Sequence, residues 1–150
     1  MCIRDRGEDE AFSYFDKLTE NILSYTSSGS GPVNALIQKE AAIGLGMTAQ
    51  AVTSINDGAN LEIRYFEEGS PASLYGQAMV EGKQDKKGVK EVFDFLINTY
   101  TKETNQKFFP EIIFKTGAAE IENYPTDIKY SDMSNNSNEE KARLLEKWKY

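Results

Sequence analysis

Tyr25-Thr-Ser-Ser-Gly-Ser-Gly-Pro32, running on through Val33 to Lys39 and into Glu40-Ala-Ala-Ile-Gly-Leu-Gly46, is the stretch whose reading decides the fold. A loop of small residues ends in a proline, and proline suits the first turn of a helix because the N–H it lacks would be unpaired there. A short helix is therefore predicted from Pro32, running through Val33 to Lys39 and capped by Ser30 or Gly31. Such a helix start presents free amide donors and the positive end of the helix dipole, which attract anions. Ala41 to Leu45 follows as an apolar run bounded by Lys39-Glu40 and Gly46, the pattern of a short buried strand.

Working outward, Glu8 to Tyr25 is predicted as an amphipathic helix. Ala11, Phe15, Leu18 and Ile22 recur at helical spacing, and Phe12 and Leu23 widen the stripe. A second helix is predicted from Thr48 to Asn56, with Ala51, Val52 and Ile55 inward, stopping at Asp57-Gly58. Leu61-Glu-Ile-Arg-Tyr65 alternates apolar with charged residues and is predicted as a strand, as is Leu74 to Val80. From Lys87 to Tyr100, Val89, Val92, Phe93, Leu96, Ile97 and Tyr100 form one helical face. Asn105 to Lys115 contains Pro110 and is predicted as a short broken helix. Thr116 to Asn136 is predicted as an extended loop packed through Ile121, Tyr124 and Tyr130. Ser137-Asn-Glu-Glu140 is a capping box opening a last helix that buries Leu144, Leu145 and Trp148. Helices alternating with short strands indicate an α/β class.

Composition narrows the function. A chain of 150 residues suits one domain that buries roughly 68–70% of its unfolded surface. Eight phenylalanines, eight tyrosines and a tryptophan supply bulk for its core. A net charge of −7 argues against a nucleic-acid partner, which needs clustered Lys and Arg. With no histidine, the chain holds neither a Ser-His-Asp triad nor an imidazole zinc site. Its one cysteine, Cys2, has no internal partner. Met1 to Arg6 has no apolar core ahead of Cys2, so it fits no signal peptide. Residues 1–6 are taken as a leader foreign to the natural protein, whose own start is expected upstream.

With these features in order, the chain resembles the C-terminal half of an ABC-transporter extracellular solute-binding protein of the iron(III)/spermidine/thiamine-like group. The resemblance runs through Tyr25-Thr-Ser-Ser-Gly-Ser-Gly, Glu40-Ala-Ala-Ile-Gly44, Phe66-Glu-Glu-Gly-Ser-Pro71 and Lys90-Glu-Val-Phe-Asp-Phe-Leu-Ile97. It covers most of residues 10–100. It implies a partial α/β fold of the periplasmic-binding-protein-like type II, a two-lobed clamshell. Residues 7–65 would belong to the second lobe, 66–71 would be a hinge crossing, 72–115 a segment of the first lobe, and 116–150 would return to the second. It further implies capture of a small solute between the lobes, delivery to ABC permease subunits, and no bond-making chemistry or cofactor. The full-length protein would be a monomer on the periplasmic or extracellular face of the cytoplasmic membrane, held there by a signal or lipoprotein anchor. Iron-binding members carry two adjacent tyrosines after the strand matching Ala41–Leu45, where this chain has Ala49-Gln50. An anionic or zwitterionic organic solute, or a phosphonate, is therefore expected in place of ferric iron.

The ligand-binding candidates are Ser28, Gly29, Ser30, Met47, Thr48, Glu68 and Ser70; there is no catalytic or metal candidate. Each also has a plain structural reading. Ser28 to Ser30 suits a flexible connector, Met47-Thr48 a turn and helix cap, and Glu68 to Ser70 an ordinary turn. Tyr75 would stack on a solute or fill a core; Phe93, Phe95 and Trp148 read as packing, and the pairs Glu67-Glu68 and Glu139-Glu140 as solvated. Two other functional classes stay open. A ligand-sensing domain of a transcription regulator would bring a helix-turn-helix upstream, and a carboxylate-dependent α/β enzyme would turn over a substrate.

Overall fold

Apolar residues at three- and four-residue spacing, with acidic residues in the first turns of three of the helices, make this chain helical. The computed structural model describes residues 6–72, 75–111 and 120–149, apart from the side chains of 104–106. Its helices are α1 (Glu8–Thr19), α2 (Gly31–Ile37), α3 (Thr48–Asn56), α4 (Val89–Phe95), a π-helical continuation (Leu96–Asn105), α5 (Gln106–Phe108) and α6 (Asn138–Lys147). The chain divides into two compact units. One comprises Met1–Ser27, Arg64–Ser73 and Thr126–Tyr150; the other comprises Ser28–Ile63 and Leu74–Pro125.

The first unit joins α1 to α6. Glu8, Asp9 and Glu10 lie in the first turn of α1 and Lys17 in its last, both favourable to the dipole. Ala11 is fully buried, and Phe15 meets Trp148 edge to face at 5.3 Å between ring centres. Tyr25 packs on the same tryptophan at 5.9 Å. The helix stops at Thr19, short of the predicted Tyr25. Asn21 and Ile22 donate their amides back to Leu18 and Thr19 in tight turns, and the Thr19 hydroxyl bonds the Tyr25 phenol at 2.8 Å. Leu23, expected on the buried stripe, is therefore exposed. At α6 the Ser137 hydroxyl accepts the amide of Glu140, one half of the capping box. The other half is not made, because the Ser137 amide goes to Asn135 and the Glu140 carboxylate turns to Arg143. Leu144, Leu145 and Trp148 are not buried as predicted: Leu144 and Trp148 are half-buried and Leu145 is exposed.

Arg143 holds the two helices together. Its Nη1 and Nη2 donate to the Glu8 carboxylate at 3.0 and 2.6 Å, and its Nε and Nη2 donate to Glu140 at 2.9 and 2.7 Å. Lys147 also donates to Glu8, and Lys149 reaches Asp16 at 3.2 Å. The hydrogen bond from Arg143, then that from Lys147, pulls the Glu8 carboxyl from its ordinary 4.5 to about 2. Hydrogen bonding to Glu140 and then to Glu8 raises the Arg143 guanidinium further, and Arg143 in turn lowers Glu140.

In the second unit α2 packs on α3, burying Val33 on one helix and Ala49 and Val52 on the other. The α3 bounds are those predicted. Ala51 and Ile55 are half-buried, and the Thr53 hydroxyl turns back to the Ala49 carbonyl at 2.9 Å. Tyr124 is buried and donates its phenol to Glu111, while Asn123 bonds Asn56 at 2.8 Å. Of the face predicted from Lys87 to Tyr100, every fourth residue (Val89, Phe93, Ile97) is half-buried. Val92, Leu96 and Tyr100 are exposed; winding widens into the π-helix at Leu96, which carries Tyr100 off the α-helical face. Helical winding ends at Phe108, ahead of Phe109-Pro110, since a residue before proline disfavours the helical conformation.

The α/β, periplasmic-binding-protein-like type II fold expected from the sequence is not what the chain adopts. Among the described residues there is no strand or sheet, only an isolated parallel bridge between Ser70 and Tyr130. Ala41–Leu45 is not buried: Ile43 is 90% and Leu45 77% exposed. Leu61–Tyr65 does alternate, with Leu61, Ile63 and Tyr65 half-buried and Glu62 and Arg64 exposed. Alternation gives an extended segment one inward face, but a ladder needs a partner, which local pattern does not supply. Tyr75 to Val80 is likewise irregular and exposed. The expectations for residues 1–5, Leu74, 112–115 and 116–119 lie outside the described residues.

Two outcomes follow from this packing. Because the folded carboxyl of Glu8 titrates below its ordinary value, its contribution is complete above about pH 4.5 and fades as pH falls towards about 2. Glu8→Gln should lower the melting temperature at neutral pH, with variant and parent converging in a thermal melt near pH 2. Val52→Ala removes two fully buried methyl groups and should cost about 2 kcal/mol in urea denaturation followed by far-UV circular dichroism.

Candidate functional site

Five of the seven candidate residues lie in the second unit, on two segments that meet. Ser28 to Ser30 form the turn before α2, and Met47 and Thr48 open α3. Gly29 sits against Met47: a Cβ at Gly29 would lie 3.0 Å from the methionine sulfur. The turn is closed by the Gly31 amide on the Ser28 carbonyl at 3.2 Å, and the Ser30 carbonyl takes the Asn34 amide at 2.9 Å. Ser30 is the α2 cap residue, and Pro32 stands in the first helical turn as predicted. The cap residue of neither helix makes a side-chain capping bond. Ser30 makes no capping bond, and Met47, extended at φ −86° and ψ 136°, has no oxygen with which to make one. Ser28 and Gly29 are exposed, Ser30 and Thr48 half-buried, and Met47 is 39% exposed. The arrangement is an accessible serine–glycine turn beside the start of a nine-residue helix. Chemically it carries hydroxyls and backbone amides, and Ser28 and Thr48 already have interaction partners.

Glu68 and Ser70 belong to the other unit. Glu68 is exposed in a turn closed by the Gly69 amide on the Phe66 carbonyl at 3.1 Å. Ser70 is buried, and its backbone is committed on both sides. Its amide donates to Lys129 at 2.8 Å and its carbonyl accepts from Ser131 at 2.9 Å. Lys129 reaches back to the Glu67 carbonyl at 2.8 Å. This turn is thus an anchor for residues 129–131. Gly69 is required there: its φ is +115°, and a Cβ would stand 2.8 Å from the Ser131 hydroxyl and 3.0 Å from its amide nitrogen.

Two features escaped the sequence reading. One is a groove of about 350 Å³ in the first unit, lined by Phe12, Phe15, Leu144, Leu145 and Trp148 with Glu140 at its edge. Helical spacing had marked these residues for packing, and nothing local shows that they leave an opening. The other is Glu140, read as solvated yet gripped by Arg143. Glu139 beside it is lowered by hydrogen bonds from its own backbone amide and then from Ser137. Among the described residues no group of three or more Cys, Asp or Glu could hold a metal ion, and no helix is long and apolar enough to cross a membrane.

The two glycines should answer substitution differently. Gly29→Ala meets only the flexible end of Met47, so its stability should stay within about 0.5 kcal/mol of the parent. Gly69→Ala combines a positive φ with contact against backbone and should cost about 1–3 kcal/mol in the same denaturation assay.

Comparison with known proteins places little beside this geometry. No family model and no solved structure matches the chain. A protein of Haemophilus influenzae strain Rd, described only as uncharacterized, is 27% identical over 150 residues. That match takes in 95% of this chain and 43% of the relative, so the chain spans less than half the length of the curated protein to which it is similar.

Proposed function

We propose that the chain is part of the solute-binding component of a bacterial ABC importer, working outside the cytoplasmic membrane. It holds a small anionic or zwitterionic solute for a membrane permease and makes or breaks no bond. The observation supporting this reading is the meeting of the Ser28–Ser30 turn with the start of α3, through Gly29 and Met47. Hydroxyls and amide donors at the positive end of a helix suit an anion. The reading also draws on the order of the sequence motifs, and does not draw on a sheet.

Magnitudes indicate how strongly such a turn binds. A helix start contributes about 0.3–2 kcal/mol to an anion, and each charge-assisted hydrogen bond about 1.5–3 kcal/mol. Immobilising the partners costs roughly 4 kcal/mol or more, while micromolar affinity needs about −8.2 kcal/mol. Two or three such contacts fall short of that figure. Tight capture needs groups beyond this turn, so the test belongs on the full-length polypeptide.

Thermal melts should be recorded with inorganic phosphate, phosphate esters, phosphonates, amino acids, dicarboxylates and ferric iron. Solute at a hundred times Kd adds about 2.7 kcal/mol, or roughly 5 °C or less for the longer full-length polypeptide. The expected result is such a shift with one anionic or zwitterionic class, lost in the Ser28→Ala/Ser30→Ala double variant. A shift with ferric iron alone, turnover of any solute, or sequence-specific DNA binding would each reject the reading.

A further inference from the structure

Phe12 and Phe15 on α1, with Leu144, Leu145 and Trp148 at the end of α6, line the groove of about 350 Å³ that lies within the first unit. That volume stands at the lower end of the range occupied by small-ligand sites, a size that suits one or two rings. Three of the lining residues are aromatic. Phe15 stands edge to face with Phe12 at 6.2 Å and with Trp148 at 5.3 Å, at interplanar angles of 72° and 75°. All three rings are half-buried, so each keeps surface that a ligand can reach. A further ring can join them edge to face, the arrangement that aromatic quadrupoles favour.

The polar part of the lining is Asn135, Asn136, Glu140 and Lys141. The Glu140 carboxylate is engaged, since Arg143 donates to it at 2.9 and 2.7 Å. Arg143 and Lys147 together match the two carboxylates of Glu8 and Glu140. Lys141 is therefore the charge of the lining that this network does not balance. We propose that the groove binds a small aromatic monocarboxylate, its ring among Phe12, Phe15 and Trp148 and its carboxylate on the Lys141 ammonium. The site is separate from the Ser28–Ser30 turn and goes beyond the reading given to it. Charge complementarity selects the acid: an amine of the same shape would meet Lys141 with like charge, and a neutral ring would leave the ammonium unmatched. The net charge of −7 acts on an anion over longer distances, where salt at about 0.15 M screens it beyond roughly 8 Å. Contact at Lys141 lies within that length.

Trp148 is the sole tryptophan and lines the groove, so its emission reads occupancy. The 150-residue protein, in about 0.15 M salt, is titrated with phenylpropionate, phenylpropanol and phenylpropylamine. The expected result is a saturable change with the acid, and binding weaker by about tenfold or more for the alcohol and the amine. Lys141→Gln alters an exposed position and should keep the parent circular dichroism spectrum while bringing the acid down to the affinity of the alcohol. Lys141→Arg keeps the charge and should keep the preference for the acid. The Ser28→Ala/Ser30→Ala variant should bind the acid as the parent does. Absence of a saturable change with the acid would overturn the proposal, as would equal binding of the alcohol or the amine. An affinity for the acid unchanged in Lys141→Gln, or lost in the double serine variant, would do the same. Emission that shifts with protein concentration alone would give the groove to a second copy of the chain and overturn it too.

Discussion

Arg143 stands between two carboxylates, and the first unit depends on that fork. Glu8 opens α1 and Glu140 opens α6, so one guanidinium ties together the starts of two helices that are distant in sequence. The pair is part-exposed, and exposed ion pairs usually contribute little. Here the geometry is two-pronged towards Glu8, Lys147 joins it, and the aromatic contacts of Phe15, Tyr25 and Trp148 form on the same pair of helices. Charge fixes the register of the helices, and aromatic surface supplies the burial.

The second unit rests on small residues. Ala49 and Val52 let α3 come close to α2, and Gly44 and Gly46 let the intervening chain lie flat on α2. Few side chains are fully buried, and many large apolar ones stand in water. Local winding and close backbone approach, more than a deep core, account for the shape of this unit.

What could be read from the sequence follows the range of the interactions. The bounds of α3 and the cap at Ser137 were legible because the signals that set them lie within a few residues: Thr48 with Asp57-Gly58, and Ser137 with Glu140. The strands were not, since Ala41–Leu45 and Leu61–Tyr65 carry the right local pattern while a ladder is decided by a partner elsewhere. The long helix from Lys87 was half legible. In its first turns Val89 and Phe93 lie inward while Val92 does not, and the change of winding at Leu96 leaves no mark in a hydrophobic stripe. Of the candidate site, the turn and the helix start were each visible alone. Their meeting through Gly29 and Met47 was not, because nothing in a glycine announces what rests against it. The forked arginine was hidden for the same reason.

The position of Trp148 has a practical corollary. It is the sole indole of the chain, and its neighbours Phe15 and Tyr25 lie in its own unit. Intrinsic emission excited at the indole band therefore reports on the α1–α6 pair. Where the two units melt apart, an emission trace and a backbone ellipticity trace will part company, and the gap between them measures how far the units lose order independently.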